Sequence, residues 1–400
     1  MQEMFEAKKA EVRSGETREG MDLMGKMLLS TLLSNAYTRS GALVKGAGIT
    51  QESLSASDPE KGGGPTGQLL TDGEILGNAF VFILAGHETA ANTIHFALLF
   101  LAMNPESQKL LHKDIDALFG DRDCSTWDYD TDVPKLFGNM VGAVMNEELR
   151  LIPPVISIPK CTPKGSPQPL TIGGRRVIVP ADCAVNLNTA AMHRNPKYWP
   201  TLCGPNATEA EIEKDLNTFK PERWLLKDDN NNKNNNNNTN TKLHPTSSTT
   251  ASSKSDSARS SFDQDHENGD DIGGPQSADT SPTLLHPPKG AYIPFSEGYR
   301  ACLGRRFAQV EVLAVLAVIF QTYSVELAVD EWADEAEVEK MRKDGDVEGL
   351  ERVYALARQR AEYLLETGMG TIITLQLRRG KIPLKFVKRG AERFRFGARD

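Results

Sequence analysis

Cys302 is the side chain whose surroundings point most directly to chemistry. It lies in the run Phe295-x-x-Gly298-x-Arg300-x-Cys302-x-Gly304. The chain has five cysteines, an odd number without a CxxC pair, which is typical of reduced thiols rather than of disulfides or a zinc site. A lone cysteine that opens an apolar helix is ordinarily a buried structural residue. The fixed spacing of five residues around Cys302 favours a metal-ligating thiolate instead.

The neighbours of Cys302 supply what a thiolate bound to haem iron requires, which is a fixed position and protection from water and oxidation. Gly298 permits a tight turn that brings the chain back over the sulfur. Backbone N–H groups of that turn and the start of the next helix stabilise negative charge on the sulfur. Phe295 is expected to cover the sulfur, Gly304 to let the next helix approach the porphyrin, and Arg300 to bind a haem propionate.

With this loop the sequence resembles the cytochrome P450 family, of the fungal microsomal type. The resemblance implies a mainly α-helical fold with small β-sheets, which holds haem b (iron protoporphyrin IX) with Cys302 as the axial ligand of its iron. It implies a monooxygenase that inserts one oxygen atom of O₂ into an apolar substrate, with electrons from an NADPH-dependent reductase. It also implies a location on the cytoplasmic face of the endoplasmic reticulum membrane.

A second segment, AGHET at residues 85–89, resembles the oxygen-binding segment of that family. Small residues, Ala85 and Gly86, leave room for dioxygen and allow the helix to open locally. The resemblance implies that Glu88 and Thr89 deliver the protons that oxygen activation consumes. Taken alone, such a polar group of residues in an apolar helix is more often a helix–helix contact.

A third set of residues forms an E-x-x-R motif with a later arginine. Glu147 and Arg150 are three residues apart on a predicted helix, so they share a face and can pair. By resemblance, Arg223 of the P-E-R segment completes a triad with them. We interpret the triad as a structural brace of the haem pocket. His193, in the run MHRNP, is more often a hydrogen-bonded structural residue than a ligand.

Composition and charge exclude several classes of function. Hydrophobic residues are 39% and charged residues 25% of the 400, as in a globular protein with a sizeable core. The net charge of −8 argues against a nucleic-acid-binding protein. Residues 1–20 are charged throughout and contain no secretory signal. The apolar stretch 79–103 is long enough to span a membrane, but its polar residues make a buried helix the better interpretation, with no membrane span in this chain.

The elements that must position these residues follow from periodicity and breakers. Thr71 and Glu74 form the signature of a helix start, and Pro153 with Pro154 ends a later helix. Residues 50–68 are expected to form a loop. Helices are predicted over 1–35, 71–104, 105–119, 133–151, 209–215, 303–322 and 347–366. Short strands are predicted over 155–159, 169–172, 176–180 and 184–188, and a C-terminal β-hairpin is predicted from 371–377 and 382–387.

Residues 227–287 differ in kind, because an Asn-rich run and a Ser/Thr/Asp-rich run leave almost nothing apolar to bury. We therefore predict a disordered insertion that splits one haem domain. Residues 1–226 hold the distal helix and the E-x-x-R region, and residues 288–400 hold the cysteine loop, the proximal helix and the C-terminal hairpin.

Members of the family carry a long segment ahead of the distal helix, whereas that helix begins here near residue 71. We therefore expect that much of the N-terminal half of the fold is lacking, including part of the substrate pocket, of which residues 155–160 and 369–372 would form walls. Two alternatives stay open. The first is a truncated, inactive chain that binds haem weakly or not at all. The second is a hydroperoxide isomerase or dehydratase, although such enzymes tend to lose the pair formed here by Glu88 and Thr89.

Overall fold

The computed structural model describes residues 71–226 and 283–394, together with residues 2, 3, 5–7 and 10. The chain divides into two compact units, Met1–His87 and Glu88–Asp400, and the boundary between their sequences falls in helix α1 (Asp72–Met103). Apart from the few positions just named, the helix predicted over 1–35 lies outside the described residues. The loop predicted over 50–68 and residues 227–282 of the predicted insertion also lie outside them.

Helices dominate the described part of the chain, as the sequence predicts. Three short 3-10 helices also occur there, at Cys124–Thr126, Pro221–Trp224 and Gly298–Arg300. After α1 come α2 (Pro105–Phe119), α3 (Val133–Leu136), α4 (Met140–Leu151), α5 (Thr189–Met192), α6 (Glu209–Asn217), α7 (Arg305–Thr322), α8 (Glu335–Asp344) and α9 (Val347–Thr367).

Helix α1 begins where its capping residues predict. The Thr71 backbone N–H donates to Glu74 Oε2 at 2.7 Å, and the Glu74 N–H donates to Thr71 Oγ1 at 3.3 Å. These bonds satisfy two of the N–H groups that a helix start leaves without partners. The helix is continuous through residues 85–89, so the local opening expected there is not present. Small residues permit such an opening but do not force it. In the described part of the chain, no helix is long and apolar enough to span a membrane.

The helix predicted over 133–151 is in fact two helices, α3 and α4. The side chain of Asn139 begins the second, because its oxygen accepts the Val141 N–H at 2.8 Å. Gly142 then packs so tightly against the end of α3 that an added Cβ would lie 2.3 Å from the Phe137 carbonyl oxygen. Apolar periodicity alone predicted one helix over 133–151, but the N-cap at Asn139 and the close backbone approach at Gly142 divide it into two.

The strands form four two-stranded antiparallel sheets within the described residues. Strands β1 (Ser157–Cys161) and β4 (Ala184–Asn188) pair, as do β2 (Gln168–Ile172) and β3 (Arg175–Val179). The other pairs are β5 (Tyr323–Leu327) with β8 (Leu384–Lys388), and β6 (Met369–Thr371) with β7 (Leu375–Leu377).

The predicted C-terminal hairpin is wrong, because its two strands belong to different sheets. Strand β7 pairs with β6 across the turn at 372–374, and β8 pairs with β5, which the sequence reading missed together with helix α8. The backbone N–H groups of Arg378 and Arg379 both donate to the Gly368 carbonyl, at 2.8 and 3.0 Å. This contact directs residues 378–381 away from a β-turn between β7 and β8.

Helix α7 lies in the core of the second unit. It buries residues spaced three and four apart, and it contacts α2, α3, α4 and β5. Val312, Leu313, Leu316 and Phe320 are each at most 2% exposed. Since α7 begins three residues after Cys302, burial of this helix fixes one end of the cysteine loop, which we define as residues 295–304.

Both ends of the predicted insertion meet at one place in the fold. Leu284 is buried and bridges Leu225, and the Leu285 N–H donates to the Trp224 carbonyl at 2.7 Å. Residues 283–287, which the sequence reading had assigned to the insertion, therefore belong to the folded unit because their leucines pack into it. The chain leaves this unit and re-enters it at neighbouring points.

Candidate functional site

Helix α4 places Glu147 and Arg150 on one face, and both side chains are completely buried. Arg150 donates from Nε to Glu147 Oε2 at 2.7 Å and from Nη2 to Glu147 Oε1 at 2.9 Å, a two-pronged pair. Its remaining Nη1 donates to the carbonyls of His193 and Leu216, at 3.0 and 2.8 Å. A guanidinium bound on every side offsets the cost of removing its charge from water.

Arg223 joins the pair from the 3-10 helix Pro221–Trp224, so the structure brings the three predicted brace residues together. Its Nε donates to Glu147 Oε1 at 3.1 Å, and its Nη1 donates to Asp215 Oδ2 at 3.1 Å. Glu147 also accepts the Lys220 backbone N–H at 3.0 Å and the Trp224 indole N–H at 2.9 Å. The carboxylate of Glu147 thus accepts five hydrogen bonds from two segments of the chain, helix α4 and residues 220–224.

Asp215 is a fourth charged member that sequence reasoning missed. Burial raises the pKa of this carboxyl, but hydrogen bonds from Lys220, the Leu202 backbone and Arg223 outweigh burial and lower it overall. Two carboxylates and two guanidiniums therefore face one another with balanced charge. We call Glu147, Arg150, Asp215 and Arg223 the buried brace. No spacing in the sequence marks Asp215, which reaches Arg223 only through the fold.

His193 joins the buried brace to the segment that precedes the cysteine loop. The Ile293 backbone N–H donates to His193 Nε2 at 2.9 Å, so the proton is on Nδ1, which lies 3.3 Å from the Arg150 carbonyl oxygen. Burial lowers the pKa of His193 to about 3, which keeps the ring neutral at physiological pH. The structural interpretation of this histidine is therefore the one that its contacts support.

The cysteine loop folds back on itself as the sequence predicts. Gly298 has φ +77°, the left-handed conformation that glycine adopts without strain, and Ser296 also has a positive φ of 62°. The Cys302 backbone N–H donates to the Phe295 carbonyl at 2.8 Å and closes the loop. Cys302 itself is exposed, while Phe295 is half-buried against the core, so within the described residues the phenyl ring does not bury the thiol.

Two cations border the loop. Arg300 is exposed at the end of the 3-10 helix Gly298–Arg300 and makes no ion pair with another described residue. Lys160, at the end of β1, donates from Nζ to Ser296 Oγ at 2.9 Å. Sequence reasoning missed Lys160, because only the fold brings this strand to a loop 136 residues later.

The residues of the AGHET segment are divided between the two units. Ala85 and Gly86 belong to the first, where both are exposed, and a Cβ added to Gly86 would meet no atom within 4 Å. Glu88 and Thr89 belong to the second and are half-buried. Gln376, on β7, donates from Nε2 to Glu88 Oε1, a contact that no sequence signal indicated.

Glu148 differs from its neighbour Glu147, although both carboxyls are fully buried. Neither oxygen of Glu148 has a hydrogen-bond partner in the described part of the chain. Burial raises the pKa of Glu148 well above its ordinary value, because the low-dielectric interior favours the neutral carboxyl.

Comparison with known proteins identifies the family to which the chain is similar. The family model described as cytochrome P450 matches residues 48–239 and 281–340, more than half of the chain. A cytochrome P450 monooxygenase of Arthrobotrys oligospora is 27% identical over 296 residues, which cover 71% of this chain and 42% of that protein. A bifunctional cytochrome P450/NADPH–P450 reductase of Aspergillus oryzae is 26% identical over 276 residues, covering 68% of this chain and 18% of that protein.

A solved crystal structure of a cytochrome P450 aligns with a TM-score of 0.46 and 20% identity, covering 92% of this chain and 55% of that one. The chain spans less than half the length of the curated relatives that it matches.

Proposed function

Because the chain belongs to the cytochrome P450 family, we propose that it is the haem-thiolate part of a monooxygenase with Cys302 as the iron ligand. The reaction inserts one oxygen atom of O₂ into an apolar organic substrate, and the other atom leaves as water. The observation that carries the proposal is an exposed thiol, held in a closed loop between the buried brace and the buried helix α7.

The residues of the cysteine loop fit haem b. A porphyrin needs apolar contacts and a thiolate, and Leu303 and Phe307, on either side of the start of α7, are 70% and 58% exposed. A Cβ added to Gly304 would meet no atom within 4 Å, so the loop leaves open space beside the thiol. The haem, when bound, supplies the oxygen activation, while the chain binds and orients it.

The cations at the loop would bind the haem carboxylates. Arg300 offers a planar fork that matches a carboxylate, and Lys160 brings a second charge to Ser296 at the opposite end of the loop. Phe295 and Gly298 shape the backbone that presents Cys302, and the buried brace holds the elements from which this loop extends.

Glu88 and Thr89 would hold and move protons on the distal side, where a carboxylate and an alcohol lie next to each other on α1. Their presence supports oxygen activation over the isomerase or dehydratase alternative. Electrons would come from an NADPH-dependent reductase. The fungal relative that carries its own NADPH–P450 reductase supports that choice of partner. From the family resemblance we also propose that the whole protein is located on the cytoplasmic face of the endoplasmic reticulum membrane.

The test is the carbon-monoxide difference spectrum of the haem-loaded, reduced chain. Wild type should give the red-shifted band of a thiolate-ligated haem, and Cys302→Ser should lose it. Cys203→Ser, which alters another cysteine, is the matched control and should keep the band. A wild-type chain without this band would instead support the inactive-fragment alternative.

Reaction chemistry needs a second measurement. With ¹⁸O₂, NADPH, reductase and an apolar substrate, the product of a monooxygenase carries one labelled oxygen atom. Product that forms without label, or without reductase, would support the isomerase alternative and contradict the proposal.

A further inference from the structure

Hydrogen bonds join helix α1 to residues 374–376, at and just before strand β7. They belong neither to the cysteine loop nor to the buried brace. Asn92 donates from Nδ2 to Thr374 Oγ1 at 3.1 Å and to the Leu375 carbonyl at 3.4 Å. Gln376 donates from Nε2 to Glu88 Oε1 and to Thr374 Oγ1, the latter at 3.2 Å. We call Glu88, Asn92, Thr374 and Gln376 the helix–hairpin clamp.

The spacing of the helix–hairpin clamp fits the geometry of both elements. Glu88 and Asn92 are one helical turn apart, which separates them by about 6 Å along the helix. Thr374 is the last residue of the turn before β7 and Gln376 lies on β7, and their side chains are on the same side because Gln376 Nε2 donates to Thr374 Oγ1 at 3.2 Å. The two pairs therefore face each other in register, each helix residue opposite one hairpin residue.

The hydrogen-bond pattern fixes which end of the Gln376 amide faces the acid. Thr374 is 2% exposed, and its hydroxyl oxygen accepts hydrogen bonds from both Asn92 and Gln376. In the structure the Gln376 NH₂ group faces both Thr374 and Glu88 and donates one hydrogen to each. An ionised carboxylate only accepts hydrogen bonds, so it is a suitable partner for this donor.

The chemistry of the donor is significant. Arginine or lysine at position 376 would form an ion pair with Glu88 and oppose its protonation. A neutral amide fixes the direction of the carboxylate without placing a positive charge beside it. A side chain that must repeatedly accept and release a proton requires that property.

We propose that Gln376 is the positioning residue that orients the Glu88 carboxyl for proton delivery. The proposal rests on the proposed function and deepens it. It assigns to the hairpin formed by β6 and β7 a part in the distal chemistry, in addition to a pocket wall. Asn92 and Thr374 keep the hairpin in register with α1, and Gln376 is the member of the helix–hairpin clamp that hydrogen-bonds to Glu88.

The experiment compares Gln376→Leu, which removes the donor at similar size, with Asn92→Ala, which weakens the same clamp without touching Glu88. In the haem-loaded chain with reductase and substrate, the measured quantity is the fraction of NADPH electrons released as hydrogen peroxide. Gln376→Leu should raise this fraction several-fold, as Glu88→Gln should, and the variant that combines both changes should release no more peroxide than either single variant. Asn92→Ala should stay within twofold of wild type, although its melting temperature falls like that of Gln376→Leu.

A second readout does not depend on turnover. In ¹⁵N spectra of the haem-free and the haem-loaded chain, the side-chain amide resonances of Gln376 are those that disappear in Gln376→Leu. These resonances should shift in Glu88→Gln. Unmoved resonances would overturn the contact and the proposal with it. Equal peroxide release from Gln376→Leu and Asn92→Ala would show a merely structural clamp. A wild-type chain that forms no product would overturn the proposed function, and with it this role, even where the resonances move.

Discussion

The buried brace and the cysteine loop lie next to each other in the fold, but the polar groups of the brace are buried and those of the loop are exposed. In the brace, Glu147 and Arg150 are completely buried, and every charged group has several partners within the chain. In the loop, Cys302 and Arg300 are exposed. His193 connects the two regions through one backbone hydrogen bond.

This difference in burial distinguishes residues that stabilise the fold around the site from residues that are exposed at the site itself. Charges buried in the brace are costly to remove from water, so they contribute stability only while all their partners stay in place. The exposed groups of the loop do not depend on buried partners in this way, so replacing them should alter the haem chemistry without unfolding the chain. Each variant below tests whether that division holds.

Glu147→Gln should have the largest effect, a loss of about 3–5 kcal/mol in the free energy of unfolding, because it leaves two buried guanidiniums without their shared carboxylate. Urea unfolding followed by circular dichroism measures this loss. Glu106→Gln is the matched control, since Glu106 also pairs with a cation three residues away, Lys109 at 2.9 Å, but in solvent. That control should cost less than about 1 kcal/mol. Similar losses from both variants would contradict the importance of burial.

His193 should make stability depend on pH. Its pKa is about 3 in the folded chain against 6.5 ordinarily, so below pH 6.5 the unfolded state binds the additional proton. The contribution to stability is complete above pH 6.5 and falls by about 1.4 kcal/mol per pH unit towards pH 3.

The variant His193→Gln can keep both hydrogen bonds but does not titrate, so this part of the slope should disappear. His112, whose pKa is lowered to about 4 mainly by burial, should preserve the rest. Melting temperatures from pH 7 to pH 4 provide the measurement. An unchanged slope in His193→Gln would mean that the ring is already solvated in the folded state.

Glu148→Met should stabilise the chain, unlike Glu147→Gln one residue earlier. Its carboxyl is buried without a hydrogen-bond partner in the described residues, and an unsatisfied buried polar group costs about 1–3 kcal/mol. Because burial raises the pKa, the folded state keeps its proton longer, so wild-type stability falls as pH rises above 4.5 through the folded pKa. Urea unfolding at pH 5 and pH 8 should show a larger gain at pH 8. A loss at both values would show that a partner satisfies Glu148.

The sequence was most informative where structure is local or where a spaced motif is long. Thr71 and Glu74 set the start of α1, and the three-residue spacing of Glu147 and Arg150 predicted their pairing. The family resemblance implied the contact with Arg223. The sequence did not indicate three further residues, because each contacts its partner only through tertiary folding. These are Asp215, Lys160 and Gln376. The C-terminal hairpin was wrong for the same reason. The turn signal at residues 378–381 predicted that β8 pairs with the strand just before it, but β8 pairs with β5, which lies far earlier in the chain.

Arg306 lies at the start of α7, just beyond the cysteine loop, and should give the smallest effect. Its guanidinium carbon lies 4.2 Å from the centroid of the Phe137 ring, so the side chain is stacked on the protein as well as charged. If a reductase with an acidic surface docks beside the loop, the charge of Arg306 should speed its approach, whereas the stacking contributes only to local packing.

Arg306→Glu should slow reductase-driven first-electron transfer by about 3–10-fold at low salt and flatten its dependence on ionic strength. Arg306→Lys keeps the charge but loses the planar stack on Phe137, so it should resemble wild type if charge is what the partner senses. Stopped-flow reduction with reductase measures the rate. Dithionite reduces the haem without docking and should reduce all three proteins equally. Slow reduction by both donors in Arg306→Glu, or equal slowing in Arg306→Lys, would show that Arg306 acts through its packing on Phe137, and would assign it to the structural side of the division between brace and loop.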